Sequence, residues 1–345
     1  MILEINPFLI FFYSTIISIV IFYIFKKKHI LIDQTFISTH KKLINSPIKS
    51  IPLCGGIIIF ICSILFFKEL ILLKLFGFFI LILGIFSDNN KISSPKTRIL
   101  LQLILLSSFV FFIDLGIEDV RINLANKFLK INLISAIFTI FCILVLINGS
   151  NFLDGLNTLL IGYYILVCSF LIFISNEHSL IINQNINILL IFLIIIFLFN
   201  FFGKIFLGDA GAYLVSFYIA FFVIDFSMKN NSVSPYLVCF LLWYPAFENL
   251  FSIIRRILKN KKVQEPDQNH LHQIIYNSLS KLKIINYKFI NTSTGIIINI
   301  FNFIMFLIFY KFYSYTYILV LGTIINILVY LFLYFFIKKK LNHFK

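Results

Sequence analysis

The chain has 345 residues, of which 60% are hydrophobic, 18% aromatic and only 12% charged, with a mean hydropathy of +1.00. A soluble globular domain carries about 25% charged residues, so this composition excludes a soluble protein. The net charge of +15, from 29 Lys and Arg against 14 Asp and Glu, does not indicate nucleic acid, because the apolar runs leave no surface for a basic patch; basic cytoplasmic loops of a membrane protein account for it.

A bilayer core of about 30 Å needs roughly 17 to 25 apolar residues per helix. On that measure the chain holds eleven spans, near 8–25, 53–67, 70–86, 99–113, 131–147, 156–175, 186–203, 211–227, 236–254, 293–310 and 316–337. The expected fold is therefore all-α: a polytopic membrane protein of about eleven transmembrane helices in one integral domain, 1–345. The first run lacks a basic leader and a small-residue cleavage site and reads as a retained span. Lys74, inside the third run, reads as a snorkelling side chain. Loops after odd-numbered spans, with the C-terminal tail, hold 22 Lys or Arg and those after even-numbered spans hold six. This asymmetry predicts the N-terminus outside and the C-terminus in the cytoplasm. The cysteines, Cys54, Cys62, Cys142, Cys168 and Cys239, lie in or beside apolar runs without metal-like spacing and read as small core residues.

The acids sort by side. Asp88, Asp154, Asp209, Glu248, Glu265 and Asp267 all fall at or just beyond the predicted cytoplasmic ends of spans three, five, seven and nine, within polar stretches at 87–98, 148–157, 208–212 and 255–273. Carboxylates are costly near a bilayer, and four distant stretches meeting on one face is what a site assembled between helices requires. Singly, each has a plainer reading: Asp154–Gly155 and Asp209 with Gly211 as caps or turns, Asp88–Asn89–Asn90 as a polar turn, Arg255–Arg256 as flanking charge. His270 and His272 would stand about 200° apart on a helix, so a zinc pair would need an irregular loop. The oxygen donors Asp209 and Asn151 suit Mg²⁺, and Lys96, Arg255 and Arg256 can clamp a diphosphate, leaving Asp88 as a base or phosphate-orienting group. That inventory fits phosphoryl transfer at the cytoplasmic membrane surface.

These residues resemble the polyprenyl-phosphate N-acetylhexosamine-1-phosphate transferases, relatives of the phospho-N-acetylmuramoyl-pentapeptide transferase, over nearly the whole chain. Pro52, Gly55 and Gly56 match the family's Pro-x-x-Gly-Gly element, and Ser87–Asp88 with Lys96 and Arg98 its acidic pair and following base. Asn148, Asn151, Asp154 and Gly155 match Asn-x-x-Asn-x-x-Asp-Gly, with Asn157 where relatives often have a further Asp. Gly208, Asp209 and Gly211 match Gly-Asp-x-Gly. Glu248, Arg255, Arg256, Pro266, Asp267, His270 and His272 match the last element, whose final His is Gln273 here.

The resemblance implies transfer of a sugar 1-phosphate from a UDP-N-acetylhexosamine to undecaprenyl phosphate, releasing UMP and requiring Mg²⁺, with Mn²⁺ as the alternative ion. It further implies that Asp209 and Asn151 hold the metal, that Asp154 and Asn157 lie by the nucleotide, and that Asp88 addresses the lipid phosphate. Asn148, Lys96, Arg255, Arg256, His270 and His272 are then substrate-binding residues, and Asp88, Asp154 and Asp209 the catalytic set. The active-site loops fall near 26–52, 87–98, 148–157, 203–211 and 255–292, on the cytoplasmic face of the cytoplasmic (inner) membrane. The His-x-His form of the last loop favours the N-acetylhexosamine enzymes of surface polysaccharides over muramoyl-pentapeptide transfer. Ser87 and Gln273 depart from the family pattern, and Ser87 leaves an inactive assembly factor as a rival. A transporter is the rival from another class, disfavoured because the polar clusters gather on one face. No nucleic-acid partner is expected, and a homodimer stays open.

Overall fold

The computed structural model describes residues 6–33, 51–260, 269–282 and 285–343. Glu265, Pro266, Asp267 and most of the predicted loop 26–52 lie outside the described residues. Among the described residues, the regular structure is helical apart from one two-residue strand pair.

The helices in chain order are α1 (Pro7–Lys28), α2 (Gly55–Phe66), α3 (Ile71–Asp88), α4 (Pro95–Ile113), α5 (Asn123–Leu129), α6 (Asn132–Leu153) and α7 (Leu159–His178). They continue with α8 (Asn185–Phe201), α9 (Gly208–Lys229), α10 (Pro235–Leu241), α11 (Trp243–Leu258), α12 (Leu271–Leu282), α13 (Tyr287–Phe309) and α14 (Thr316–His343). Each predicted span overlaps a helix, but they are not equivalent. Among the described residues, eight helices are long and apolar enough to cross a membrane, α10 and α11 would together make a ninth, and α2 and α8 are shorter.

In hydrocarbon every backbone polar group must be satisfied within the chain, which is why apolar runs of this length form helices. Their starts carry the expected signals: Pro7, Pro95 and Pro235 stand in first turns, and Asn6 and Ser234 side chains accept from Phe8 and Tyr236 N–H groups. α9 is the axis of the bundle. It is almost wholly buried and packs on α2, α3 and α6, whereas α1 and α14 keep most of their apolar surface on the outside. The axis is reached closely where Gly56 meets Gly211: a Cβ on Gly56 would stand 2.6 Å from the Gly211 backbone. Several polar side chains within the bundle pair with one another, as Ser63 with Tyr218 at 2.9 Å, Trp243 with Asn302 at 2.9 Å, and Ser150 with Tyr164.

Two expectations are corrected. The stretch 236–254 is not one helix: it breaks at Leu242, and α10 and α11 diverge by 71°. Pro245 is the cause, since it has no N–H for the Leu241 carbonyl four residues back. Tyr163 from α7 fills the gap, its hydroxyl donating to the Leu241 carbonyl at 2.7 Å and accepting from Tyr244 N–H at 3.4 Å. The other correction is the strand pair, Ile32–Asp33 (β1) antiparallel to Ile51–Pro52 (β2), which the apolar periodicity did not announce. Lys74 does not run out to water alone; its ammonium donates to the Phe67 carbonyl at 2.8 Å and closes the end of α2.

Candidate active site

The polar stretches are joined at one end of the bundle by a chain of contacts. Backbone N–H groups of Phe206 and Gly55 bond the carbonyls of Pro52 and Phe206 at 3.1 Å, tying the Pro-x-x-Gly-Gly element to the loop before α9. Asp88, the last residue of α3, reaches the first turn of α9. Its Oδ1 accepts from Asp209 N–H at 2.9 Å and its Oδ2 from Ala210 N–H at 3.1 Å. A carboxylate on the N-terminal N–H groups of a helix is held by hydrogen bonds and by the helix dipole together.

Gly208 permits this geometry. Its φ is +69°, and a Cβ there would stand 2.7 Å from Asp88 Oδ2. Gly208→Ala is expected to cost about 2 kcal/mol from the left-handed backbone alone and to unseat Asp88 besides; a thermal melt of the purified protein checks it, and an unchanged melting temperature would refute this description of the turn.

Asp209 points the other way. Its Oδ2 accepts from Ser87 Oγ at 2.5 Å and pairs with Arg98 Nη1 at 3.2 Å, and that same guanidinium nitrogen donates to Ser87 Oγ at 2.9 Å. Tyr213, one turn along α9, lies beside Arg98 and Ser87. Lys96 is exposed and outside this group; the base that reaches the acids is Arg98, two residues on. The sequence points to Lys96 as the substrate-binding cation and gives Arg98 no role; the packing of α4 on α3 brings Arg98 to the acids.

The motif at the end of α6 forms the next wall. Asn148 donates to Gln102 Oε1 on α4 at 2.9 Å, Asn151 is half-buried, and Asp154 caps the C-terminus of α6. Past that end the chain turns through Thr158, at φ +65°, which Asn200 fixes by accepting from its N–H at 2.6 Å. Asn157 is held similarly, Asn291 Oδ1 accepting from its N–H at 2.7 Å, and its side-chain amide lies beside Gly203 in the loop before α9.

The third group belongs to α11 and the start of α12. Glu248 is completely buried, its Oε1 accepting from His270 Nδ1 at 2.8 Å and its Oε2 from the Tyr330 hydroxyl at 2.8 Å. Arg255 donates to Ser252 Oγ at 2.9 Å and lies over the rings of Phe251 and Tyr334; Arg256 lies over Phe152 at the end of α6. The His270 and His272 rings stack at 5.4 Å with 15° between their planes. The 200° separation expected on a helix does not arise, because His270 precedes α12 and only His272 is helical.

His272 is also fully buried, neither ring nitrogen has a hydrogen-bond partner among the described residues, and its Nε2 lies against Gly155. Burial pushes its pKa down to about 3, so it is neutral at physiological pH. The unfolded chain binds a proton here that the fold refuses, so this residue withdraws stability as pH falls from about 6.5 toward 3. Gln273, in place of the family's last histidine, accepts from His270 N–H at 3.3 Å and so completes half of a capping box for α12.

Of the sequence-predicted residues, Asp88 and Asp209 thus come together, as do Arg255, Arg256, His270 and His272, with the α6 motif between the groups. Ser87, Arg98, Gln102 and Tyr330 were not assigned roles; Ser87 and Arg98 lay within a noted motif, whereas Gln102 and Tyr330 carried no signal.

Residues 70–227 match the family model described as glycosyl transferase family 4. The match covers the α3 end, the α6 motif and the start of α9. Curated relatives are similar over a wider region. "Undecaprenyl-phosphate alpha-N-acetylglucosaminyl 1-phosphate transferase" of Thermotoga maritima (strain ATCC 43589 / DSM 3109 / JCM 10099 / NBRC 100826 / MSB8) is 26% identical over 68% of this chain and 71% of its own. The protein of that name in Salmonella typhi is 24% identical over 65% of each chain. A Bacillus subtilis (strain 168) protein named "Probable undecaprenyl-phosphate N-acetylglucosaminyl 1-phosphate transferase" is 24% identical, also over 65% of each. The chain therefore spans just under two thirds of the length of two of these relatives. Residues 70–227 are thus similar to glycosyl transferase family 4, and they lie among helices long and apolar enough to cross a membrane several times.

Proposed function

We propose that the protein transfers N-acetylhexosamine 1-phosphate, of the N-acetylglucosamine type, from a UDP-sugar to undecaprenyl phosphate, giving the lipid diphosphate sugar and UMP. The observation that supports the reading is that Asp88, Asp209 and Arg98 meet at the start of α9, while the end of α6 meets Arg256 and His272 through Phe152 and Gly155 and reaches α4 through Asn148. The relatives' names supply the substrate class. Ser87 does not break the first group, since its hydroxyl donates to Asp209 and accepts from Arg98.

The donor set fits Mg²⁺. Among the described residues no three His, Cys, Asp or Glu form a cage, and Mg²⁺ is commonly held by one or two carboxylates with waters and substrate phosphates. Asp209 and Asn151 would hold it, and it would neutralise charge on the diphosphate. Arg255 and Arg256, already oriented by aromatic rings, supply cationic groups for the phosphates, and neutral His272 offers nitrogens that can bond sugar or phosphate. Asp88 is the group nearest Asp209 suited to orient the lipid phosphate. In this reading the bent α10–α11 pair and the shorter α2 and α8 complete eleven spans, with the site on the cytoplasmic face of the cytoplasmic membrane and the N-terminus outside.

The test is UMP release by the detergent-purified protein from a panel of UDP-N-acetylhexosamines with undecaprenyl phosphate, with Mg²⁺, with Mn²⁺ and with chelator. Release that needs lipid and metal is expected, and the donor consumed names the sugar. Release from no donor, under conditions where the Thermotoga maritima relative turns over, would overturn the proposal.

A further inference from the structure

We propose that Tyr330, on the last helix, acts through Glu248 as a positioning residue for His270, fixing the ring with Nδ1–H on the carboxylate and Nε2 as the nitrogen left for a ligand. Tyr330 lies about a hundred residues beyond the end of the matched family region, on a helix that otherwise presents apolar side chains outward. Its hydroxyl is buried and donates to Glu248 Oε2 at 2.8 Å, while Glu248 Oε1 accepts from His270 Nδ1 at 2.8 Å. A fully buried carboxylate is tolerated only when its oxygens are hydrogen-bonded, and here one oxygen is assigned to each partner. With Nδ1 committed as donor, neutral His270 must carry its lone pair on Nε2.

The ring is held in place from three sides. Phe152 lies against it at 5.0 Å from α6, His272 stacks on it from α12, and Gln273 holds its backbone N–H. Among the described residues, the charged and titratable groups around it are Glu248, Arg255 and Arg256 on α11 and His272 on α12, with Tyr330 and Tyr244 acting through Glu248. Trp243, Phe247 and Phe251 pack edge-on to the Tyr330 ring and fix the phenol in turn. The use of the remaining ring nitrogen in catalysis rests on the transferase reading; the tautomer does not.

The experiment therefore uses no substrate. The full-length protein, labelled with ¹⁵N-histidine in detergent micelles, is observed by NMR, and the His270 signals among its six histidines are identified by their loss in His270→Gln. In the wild type, neutral His270 is expected to carry its proton on Nδ1. Glu248→Gln removes the anionic acceptor and should move the neutral ring's proton from Nδ1 toward Nε2. Tyr330→Phe leaves Glu248 Oε2 without its donor and should lower the Nδ1–H population by less. A proton on Nε2 in the wild type, or a tautomer population that neither variant moves, would overturn the proposal. Should Tyr330→Phe fail to fold, the wild-type tautomer and the Glu248→Gln population still decide. A protein without UMP release but with these tautomer populations would separate failure of the transferase reading from failure of this one.

Discussion

Asp209→Asn is expected to lower UMP release by about 10³-fold, the scale associated with removing one preorganised charge-stabilising group, while the protein stays folded. The substitution preserves shape. An amide oxygen can still accept from Ser87 and Arg98, which now bond Oδ2 at 2.5 and 3.2 Å, and the backbone N–H to Asp88 is untouched. What disappears is the negative charge, and with it the hard ligand assigned to the metal and the counter-charge to Arg98. The check is initial UMP release across a Mg²⁺ series beside a thermal melt. Near wild-type turnover at saturating metal would remove Asp209 from the site, and a collapsed melt would instead make its role structural.

The second large effect is expected at Gly149. A Cβ on this residue would stand 2.0 Å from the Pro245 carbonyl oxygen and 2.7 Å from its carbon. Both are backbone atoms at the helix break, so no flexible side chain can move aside. Gly149→Ala must push α6 from α11, and overpacking of this kind costs about 3 kcal/mol, which corresponds to a fall in melting temperature on the order of 10 °C. Because α6 carries Asn148, Asn151 and Asp154 and α11 carries Glu248, Arg255 and Arg256, UMP release should fall as well. A variant melting with the wild type would show that the two helices do not approach as described.

Much of this molecule is legible in one dimension because a bilayer imposes a single ruler. The eleven apolar stretches all fall on helices. The helix break was missed because Pro245 sits inside a strongly apolar run, and hydropathy is blind to whether a carbonyl has a donor; Tyr163 answers that need from a distant helix. The motifs placed Asp88, Asp209, Asn151 and the Arg255–His272 group at one end of the bundle, yet they singled out Lys96 and passed over Arg98, since both lie within one turn of α4 and only packing brings Arg98 to the acids. Tyr330 was illegible for a different reason. It is one of 16 tyrosines, on a helix with no polar motif, and only its contact with a buried carboxylate distinguishes it.

The seat of Asp88 has a consequence for competition among anions. The start of a helix is ordinarily an attractive berth for a phosphate, but at α9 the berth already holds a carboxylate tethered to the neighbouring helix. A tethered ion acts at an effective concentration in the millimolar range or above, so free phosphate and other small anions must displace it to bind there. The chain thus closes the start of α9 to stray anions with a carboxylate of its own.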